Sequence, residues 1–240
     1  MSVLLNALRS ALANLRRSSG NRQSDDRQAG RPSNAVWLAQ RFPQLKDFPR
    51  SFEASKELLL EPYAEYVVTV STPIWALSHL TAAFCHALCC RLAPARILDF
   101  GSGFSSYVLR SYARTADRPC IVHSVDDNQE WLDKTRVFLH GKNMSIENLY
   151  LWQDFKGMTN DKFDLIVHDL GGSVNVRVGA LSEILGYCAP SGMVVLDDLH
   201  KPDYEQLAMR ACHASGFRLC YMENETTDQF GRFAGLALPQ

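Results

Sequence analysis

The 240-residue sequence lacks a charge excess of either sign. Its 25 lysines and arginines are matched by 26 aspartates and glutamates, which gives a formal net charge of −1. A protein that wraps a polyanion normally carries a large basic surplus, so nucleic acid is not an expected partner. The ordinary length and the hydrophobic fraction of 46% are typical of one globular domain with a full core.

The seven cysteines lack any paired Cys-x-x-Cys spacing, and their number is odd. Disulfide frameworks and zinc sites normally show such spacing. Cys85, His86, Cys89 and Cys90 are close together in the sequence, but no zinc-ligand pattern fits them. We interpret them as part of a buried and inert cluster, and we expect the chain in a reducing compartment, the cytoplasm.

An uninterrupted apolar segment of membrane-spanning length is also missing. Residues 73–92 come nearest, but Ser78, His79 and His86 interrupt them. The segment therefore predicts a buried helix that begins at Pro73.

Residues 1–17 contain no acid and predict an amphipathic helix. Leucines recur on one face, while Arg9, Arg16 and Arg17 lie off it. Polar residues interrupt the apolar run, so this is not a secretory signal. Three interpretations stay open: a helix packed on its own domain or on the partner in a homodimer, a helix at a membrane surface, and an organelle-targeting peptide. Residues 18–34 are polar and predict a flexible linker.

Residues 35–240 are predicted to form one domain, whose first part, residues 35–92, is a helical cover. Aromatic residues in 35–66 indicate short helices over a site. After this cover, short apolar runs alternate with helical segments, which is typical of a buried, doubly wound parallel sheet with helices on both faces. The last two runs, 217–222 and 233–238, predict an antiparallel pair. The expected fold class is α/β.

Residues 96–106 have the pattern of a nucleotide-binding strand–turn–helix unit. An apolar run ends in an acid, a tight Gly-x-Gly turn follows, and two serines open a helix. Glycines allow the backbone to turn sharply and a ligand to approach it closely. The serines lie where a helix N-terminus offers free N–H groups. The candidate cofactor-binding residues of this unit are Asp99, Gly101, Ser102, Gly103, Ser105 and Ser106.

Two missing motifs limit which class of nucleotide this turn could bind. No Gly-x-x-x-x-Gly-Lys-Ser/Thr occurs, so the chain is not a P-loop protein. Ser106 stands where a dinucleotide fingerprint has its third glycine, which disfavours a pyrophosphate. Asp99 before the turn suits a cationic ligand such as a sulfonium. Asp126 ends the next predicted strand, where it can accept two hydrogen bonds from a ribose diol.

Polar and acidic residues follow each of the first five predicted strands. Ligands in open α/β sheets bind beyond the carboxyl ends of the strands, so these side chains are expected to project into a single cleft. They are Asp99, Asp126, Gln153 with Asp154, Asp169, and Asp197 with Asp198.

The segment Asp99-Phe100-Gly101-Ser102-Gly103 resembles motif I of the class I S-adenosylmethionine-dependent methyltransferases, and the order of strand-end acids fits that family over residues 70–240. The resemblance implies a Rossmann-like, seven-stranded, mostly parallel sheet with an antiparallel last strand. It implies S-adenosylmethionine as cofactor, with the glycine turn along its methionine part and Asp126 at its ribose. Trp152 and Gln153 would lie by the adenine, and Asp169 is a further candidate cofactor-binding residue.

Asp169, Asp197 and Asp198 resemble the three metal ligands of catechol-type and macrocin-type O-methyltransferases. The resemblance implies Mg²⁺, which prefers several oxygen ligands, and a small-molecule substrate that accepts the methyl group on a hydroxyl. The alternative that Asp197 and Asp198 only cap the next loop or helix stays open.

The sequence departs from the catechol-type pattern at the general base. Those enzymes carry a lysine shortly after the first metal acid, whereas Asp169 is followed by Leu-Gly-Gly-Ser. His200 and Lys201 are the nearest replacements as catalytic residues beside Asp169, and His168 is the next. Arg177 is expected either to bind an anionic substrate group or to face solvent.

Three other functions remain as alternatives at this point. The first is a metal-independent methyltransferase that acts on another acceptor. The second is a methyltransferase-like, non-catalytic scaffold docked by its N-terminal helix. The third is an NAD-linked enzyme.

Overall fold

The computed structural model describes residue 38 and residues 40–171 and 173–240. The helix predicted for residues 1–17 and the linker predicted for residues 18–34 lie outside these residues. Within the described part of the chain, no helix combines the length and the apolar character that crossing a membrane requires.

Seven strands form one mixed sheet in the order β3-β2-β1-β4-β5-β7-β6. The first five pair in parallel, and the last strand in the sequence, β7, runs antiparallel to both β5 and β6. The predicted fold class and its antiparallel last strand are therefore confirmed. The strands are β1 (Arg96–Phe100), β2 (Ile121–Asp126), β3 (Leu149–Leu151), β4 (Phe163–His168), β5 (Cys188–Leu196), β6 (Phe217–Tyr221) and β7 (Gly235–Pro239).

Helices cover both faces of this sheet. Successive strand residues point to opposite faces, and on each face they pack with helix residues in a separate hydrophobic cluster. In β4, Leu165 and Val167 face one cluster with the first four helices, whereas Ile166 faces the other. The helices are α1 (Phe48–Thr69), α2 (His79–Leu92), α3 (Phe104–Thr115), α4 (Gln129–Gly141), α5 (Trp152–Phe155), α6 (Val174–Tyr187), α7 (Pro202–Ala214) and α8 (Glu223–Thr226). A 3₁₀ helix, Pro43–Asp47, precedes α1.

The helix predicted to begin at Pro73 begins at His79, so that prediction is wrong. The Ser78 side chain accepts a hydrogen bond of 3.0 Å from the backbone N–H of Thr81 and caps α2. Pro73 begins a turn that leaves Ile74 and Trp75 exposed. The turn carries these two side chains to the mouth of the cavity described below.

Two further element predictions are wrong. The short helices expected within residues 35–66 are mainly the single helix α1 of 22 residues, which continues through Pro62. Trp152 begins α5 instead of ending β3. The cysteines all have free thiols, and Cys85 and Cys89 are buried in α2, where burial raises their pKa well above the ordinary value.

Candidate functional site

The turn after β1 is shaped by contacts within the protein. Gly101 has a φ of +105°, and a Cβ there would lie 2.2 Å from the carbonyl oxygen of Asp169. Gly103 has a φ of +148°, and a Cβ there would lie 2.9 Å from the Tyr66 hydroxyl oxygen. Glycine is therefore needed at both positions because other backbone and side-chain atoms approach so closely.

Asp99 lies beneath this turn and organises it. Its Oδ2 accepts hydrogen bonds from the hydroxyls of Ser106 at 2.5 Å and Ser124 at 2.7 Å. Arg110 donates to the same Ser124 hydroxyl at 2.6 Å. Burial raises the pKa of Asp99, and the hydrogen bonds from the serines oppose that shift. Ser106 Oγ also accepts a hydrogen bond from the backbone N–H of Gly103 at 3.2 Å, which fixes the start of α3.

Asp126 ends β2 and connects this strand to the turn. Its Oδ2 accepts hydrogen bonds from the backbone N–H of Ser102 at 2.7 Å and from the Ser102 hydroxyl at 2.9 Å. Its Oδ1 accepts one from the backbone N–H of Asn128 at 3.0 Å. Burial raises the pKa of Asp126 to about 6, although these hydrogen bonds favour the ionised form.

One cavity of about 890 Å³ joins the turn to the strand-end acids. A volume of this size holds a cofactor-sized ligand. Its first end is lined by Ser102, Gly103, Phe104, Asp126, Asp127, Asn128 and Trp131. Its second end is lined by Asp169, Arg177, Asp197, Asp198, His200, Lys201 and Arg232, with Ile74 and Trp75 at the lip.

Several residues predicted to bind the cofactor lie behind the cavity wall or away from it. Asp99, Gly101, Ser105 and Ser106 support the turn from below, and Ser105 Oγ donates a hydrogen bond of 3.2 Å to the carbonyl of Gly101. Trp152 and Gln153 are outside the residues that line this cavity. The Trp152 ring packs edge-on against Phe100, with 4.5 Å between the centroids, and the Lys156 ammonium lies over it. Their contact with adenine stays a prediction.

Sequence-distant acids meet at the second end of the cavity. One oxygen atom from each of Asp169, Asp197 and Asp198 lies within 4.8 Å of the other two, and this is the single such acidic, histidine or cysteine group among the described residues. Adjacent strands bring them together: Asp169 follows β4, and the pair follows β5. Asp198 has a φ of +65°, an uncommon conformation for a residue with a side chain. We call these three residues the acid cluster.

Burial and mutual repulsion shape the charges of the acid cluster. Burial, followed by the charge of Asp197, raises the pKa of Asp169 well above its ordinary value. Burial and the neighbouring Asp198 raise the pKa of Asp197 to about 6. Burial acts on Asp198 in the same direction, but Arg177 and Lys201 outweigh it and lower the pKa of Asp198.

Arg177 lies inside the acid cluster, so the expectation that it faces solvent is wrong. Its side chain is buried, with NH2 3.3 Å from Asp169 Oδ1 and NH1 3.2 Å from Asp198 Oδ2. Its remaining N–H groups donate to the carbonyls of Leu170 at 2.7 Å and Asp197 at 3.2 Å. All of these partners lie at the ends of β4 and β5, so Arg177 is bound by the protein itself.

Arg232 lines the cavity, and the sequence analysis did not single it out. It is buried, it pairs with Asp228 at 2.7 Å, and it donates to the carbonyls of Pro73 at 2.8 Å, Ile74 at 2.7 Å and Ala76 at 3.1 Å. One guanidinium thus holds the turn that forms the lip of the cavity. The spacing Asp-x-x-x-Arg before the last strand is the one sequence signal that could have indicated this ion pair.

The three candidate general bases differ in whether their side chains reach the cavity and in what they contact. His200 lines the cavity, half-buried, and its Nδ1 is 3.6 Å from Asp198 Oδ1. Burial lowers the pKa of His200. The Lys201 ammonium is ion-paired with Asp198 Oδ2 at 2.5 Å. His168 is fully buried with its Nε2 3.1 Å from the carbonyl of Arg177, and burial lowers its pKa to about 3. The ring of His168 is therefore part of the packed interior and does not reach the cavity.

Comparison with known structures shows the same fold. No protein-family model and no curated protein sequence matches the chain. The O-methyltransferase from Bacillus cereus, solved in complex with S-adenosylhomocysteine, is 14% identical over 85% of this chain and 98% of its own, with a TM-score of 0.57. The O-methyltransferase TomG from Streptomyces achromogenes, solved in complex with S-adenosylmethionine, is 14% identical over 98% of both chains, with a TM-score of 0.55.

A third similar structure is the methyltransferase PaMTH1 from Podospora anserina, solved with S-adenosylhomocysteine bound. It is 12% identical over 92% of this chain and 99% of its own, with a TM-score of 0.53. These likenesses show the fold of the class I S-adenosylmethionine-dependent methyltransferases, as the resemblance of the turn after β1 implied. At these identities they do not extend to substrate or metal.

Proposed function

We propose that the chain is an S-adenosylmethionine-dependent methyltransferase that methylates a hydroxyl group of a small molecule, with Mg²⁺ assisting at the acid cluster. The cavity carries this proposal, because its two ends are built for two different ligands. A buried carboxylate and a glycine turn line one end, and three carboxylates with a histidine line the other. The fold, which it shares with O-methyltransferases, supports the same function.

At the cofactor end, Asp126 is proposed to accept hydrogen bonds from the ribose diol. Its carboxylate faces the cavity and is held in place by the Ser102 backbone and hydroxyl. When bound, S-adenosylmethionine supplies an electrophilic methyl group on a cationic sulfonium. The negative charge of Asp126 on the cavity wall favours such a cation. The positions of Trp152 and Gln153 give the adenine contact no further support.

At the acceptor end, Asp169, Asp197 and Asp198 are proposed to hold the metal. Their carboxylates are hard oxygen ligands that converge from two adjacent strands, which fits a divalent ion. When bound, Mg²⁺ lowers the pKa of a coordinated hydroxyl. The acids also fix where the acceptor lies relative to the cofactor end of the same cavity, which favours in-line transfer.

His200 is proposed to remove the acceptor proton. Because burial lowers its pKa, the imidazole is neutral near pH 7 and can accept a proton from a hydroxyl in the cavity. The positively charged Lys201 ammonium, which is fixed by its ion pair with Asp198, is proposed to stabilise the negative charge that develops on the acceptor oxygen. His200→Gln is expected to lower kcat about a hundredfold with unchanged S-adenosylhomocysteine affinity, measured by single-turnover kinetics and calorimetry. A kcat close to that of the wild type would remove this role.

Calorimetry and a methylation assay test the proposed function. Purified full-length protein is titrated with S-adenosylhomocysteine and, separately, with NAD; binding of the first alone is expected. Labelled S-adenosylmethionine is then offered with a panel of small hydroxyl compounds, including vicinal diols, in Mg²⁺ or in EDTA. Transfer that EDTA abolishes is the expected result. Full activity in EDTA would replace the metal-assisted reaction with the metal-independent alternative, and absent cofactor binding would favour a scaffold.

The N-terminal region completes the proposal. The amphipathic helix predicted for residues 1–17 is proposed to contact its own domain or a second copy of the chain in the cytoplasm. Full-length protein and a variant without residues 2–17 are compared by analytical ultracentrifugation and by co-sedimentation with anionic vesicles. Loss of the dimer in the variant supports the second copy, and vesicle binding by the full-length protein alone would assign the helix to a membrane surface instead.

A further inference from the structure

The acid cluster already contains a cation of the protein's own. The Arg177 guanidinium joins Asp169 and Asp198, which follow different strands, by contacts of 3.3 and 3.2 Å. The Tyr204 ring lies below it, 5.3 Å from ring centroid to guanidinium carbon. Its Nε and NH1 also donate to the carbonyls of Leu170 and Asp197, so several contacts hold this side chain in place at the cavity wall.

The charges in the cluster are nearly balanced without a metal. When all three carboxylates are ionised, Arg177 and Lys201 supply two positive charges against three negative ones. Asp197 has no ion pair of its own among the described residues, and its Oδ1 accepts a long hydrogen bond of 3.5 Å from the Thr81 hydroxyl. A divalent ion placed here therefore meets a net charge of −1 and the repulsion of a buried guanidinium.

We propose that Arg177 keeps the affinity of the acid cluster for divalent cations low, because its positive charge occupies the bridge between Asp169 and Asp198. This inference rests on the metal site of the proposed function. Arg177 uses one oxygen of each carboxylate, so the second oxygens stay available to a cation that shares the cluster with it. The enzyme then takes up its metal reversibly, at the metal concentration around it, rather than carrying it permanently.

Mn²⁺ binding, followed by electron paramagnetic resonance, tests the proposal without an acceptor. Arg177→Gln removes the competing charge and is expected to bind Mn²⁺ about tenfold more tightly than the wild type. A residue that only supported the fold would give the opposite result, because its loss would scatter the carboxylates. Lys134→Gln, which breaks the exposed pair with Glu130 on α4, is the matched control and should leave Mn²⁺ affinity unchanged.

Arg177→Lys keeps the proposal testable if Arg177→Gln does not fold. Lysine keeps the charge but cannot bridge two carboxylates in a planar fork, so a smaller gain in Mn²⁺ affinity is expected. Circular dichroism and thermal unfolding show whether each variant is folded. A folded variant with unchanged or weaker Mn²⁺ affinity would overturn the proposal, and so would the absence of Mn²⁺ binding in all proteins. Cofactor binding in those samples reports separately on the methyltransferase assignment.

Discussion

Asp126 is the residue on which the cofactor end of the cavity depends most. It accepts three hydrogen bonds from Ser102 and Asn128, and the same carboxylate faces the ligand space. Its burial raises its pKa to about 6, so its charge changes just below physiological pH. A nucleoside that needs a charged acceptor is therefore expected to bind in a pH-dependent way.

Asp126→Asn should weaken S-adenosylhomocysteine binding about ten- to hundredfold, because a hydrogen bond to a charged acceptor contributes about 1.5–3 kcal/mol. In the wild type, affinity should fall as the pH drops below about 6, when Asp126 takes up a proton. Calorimetry between pH 5 and pH 8 measures both effects. Asp133→Asn, on the exposed face of α4, is the control. Equal pH profiles for wild type and Asp126→Asn would contradict the assignment.

The residues that line the cavity differ in how well the sequence predicts their position. Asp126, Asp169, Asp197 and Asp198 were predictable because each follows an apolar strand, and strand ends meet at one edge of a parallel sheet. The environment of Arg177 was not predictable, since its partners come from strands distant in sequence and two of them are backbone carbonyls. Nothing in the composition around an arginine indicates that kind of partner.

Among the elements, the turn after β1 is the most constrained. Gly101→Ala is expected to lower the free energy of unfolding by about 3 kcal/mol or more, because a Cβ would lie 2.2 Å from a carbonyl oxygen at a φ of +105°. Urea unfolding measures the change. Gly157→Ala is the matched control, since Gly157 also has a positive φ, of +79°, but no neighbour within 4 Å. Its cost should be only about 1–2 kcal/mol. Equal costs would show that conformation alone matters.

The lip of the cavity is an element held by one side chain. Arg232→Gln should destabilise the protein by about 3–5 kcal/mol, because it leaves Asp228 buried and unpaired. Hydrogen exchange in residues 73–77 should increase more than elsewhere, since the variant releases three carbonyls of that turn. Arg136→Gln breaks an exposed pair and should cost less than about 1 kcal/mol. Unchanged exchange at the lip would contradict the anchoring role.

Element boundaries explain where the sequence analysis failed. Proline is common at the first position of a helix, and for this reason the helix was predicted to begin at Pro73. It begins at His79 instead, because the Ser78 side chain accepts a hydrogen bond from the backbone N–H of Thr81 and caps the helix there. Pro62 lies in the interior of α1, where proline removes a backbone donor, yet the helix continues through it. Trp152 is apolar enough to extend a strand, but it turns into α5 and packs on Phe100. At Ser78 a local side-chain cap decides where the helix begins, whereas at Trp152 a tertiary contact outweighs local preference.

At the scale of the whole molecule, the pKa shift of Asp126 makes stability depend on pH in the direction opposite to the proposed cofactor binding. Its pKa rises from an ordinary value of 3.8 to about 6 on folding, so the folded protein binds an additional proton between these pH values. The stabilising contribution is complete below about pH 4 and is lost as the pH rises through 6. The loss is about 3 kcal/mol at most, given 1.36 kcal/mol for each pKa unit.

The difference in unfolding free energy between wild type and Asp126→Asn isolates this contribution. It is expected to shift against the wild type as the pH rises from 4 to 6.5, and to stay constant above that. Buried histidines act in the opposite direction, since burial lowers the pKa of His86 to about 4 and of His168 to about 3. They are common to both proteins and cancel in the difference. Parallel curves over this range would show that Asp126 keeps its ordinary pKa.

The overall fold was predictable because the alternation of apolar runs and helical segments leaves few topologies. The resemblance implied an antiparallel last strand, whereas the insertion of β7 between β5 and β6 was not predicted. The shared cavity was expected from the strand ends, whereas its lip was not, since Ile74 and Trp75 reach it through a turn that the sequence analysis assigned to a helix.

The contact between Gly101 and the carbonyl of Asp169 has a consequence for protein engineering. The backbone N–H of Asp169 also donates to the carbonyl of Phe100 at 2.8 Å, so the backbones at the two ends of the cavity are in direct contact. The lip at residues 73–77 is not part of this contact. A library that randomises Ile74 and Trp75 while leaving Gly101 and Asp169 untouched is therefore expected to change which acceptor the proposed reaction takes, without changing the backbone that joins the two ends of the cavity.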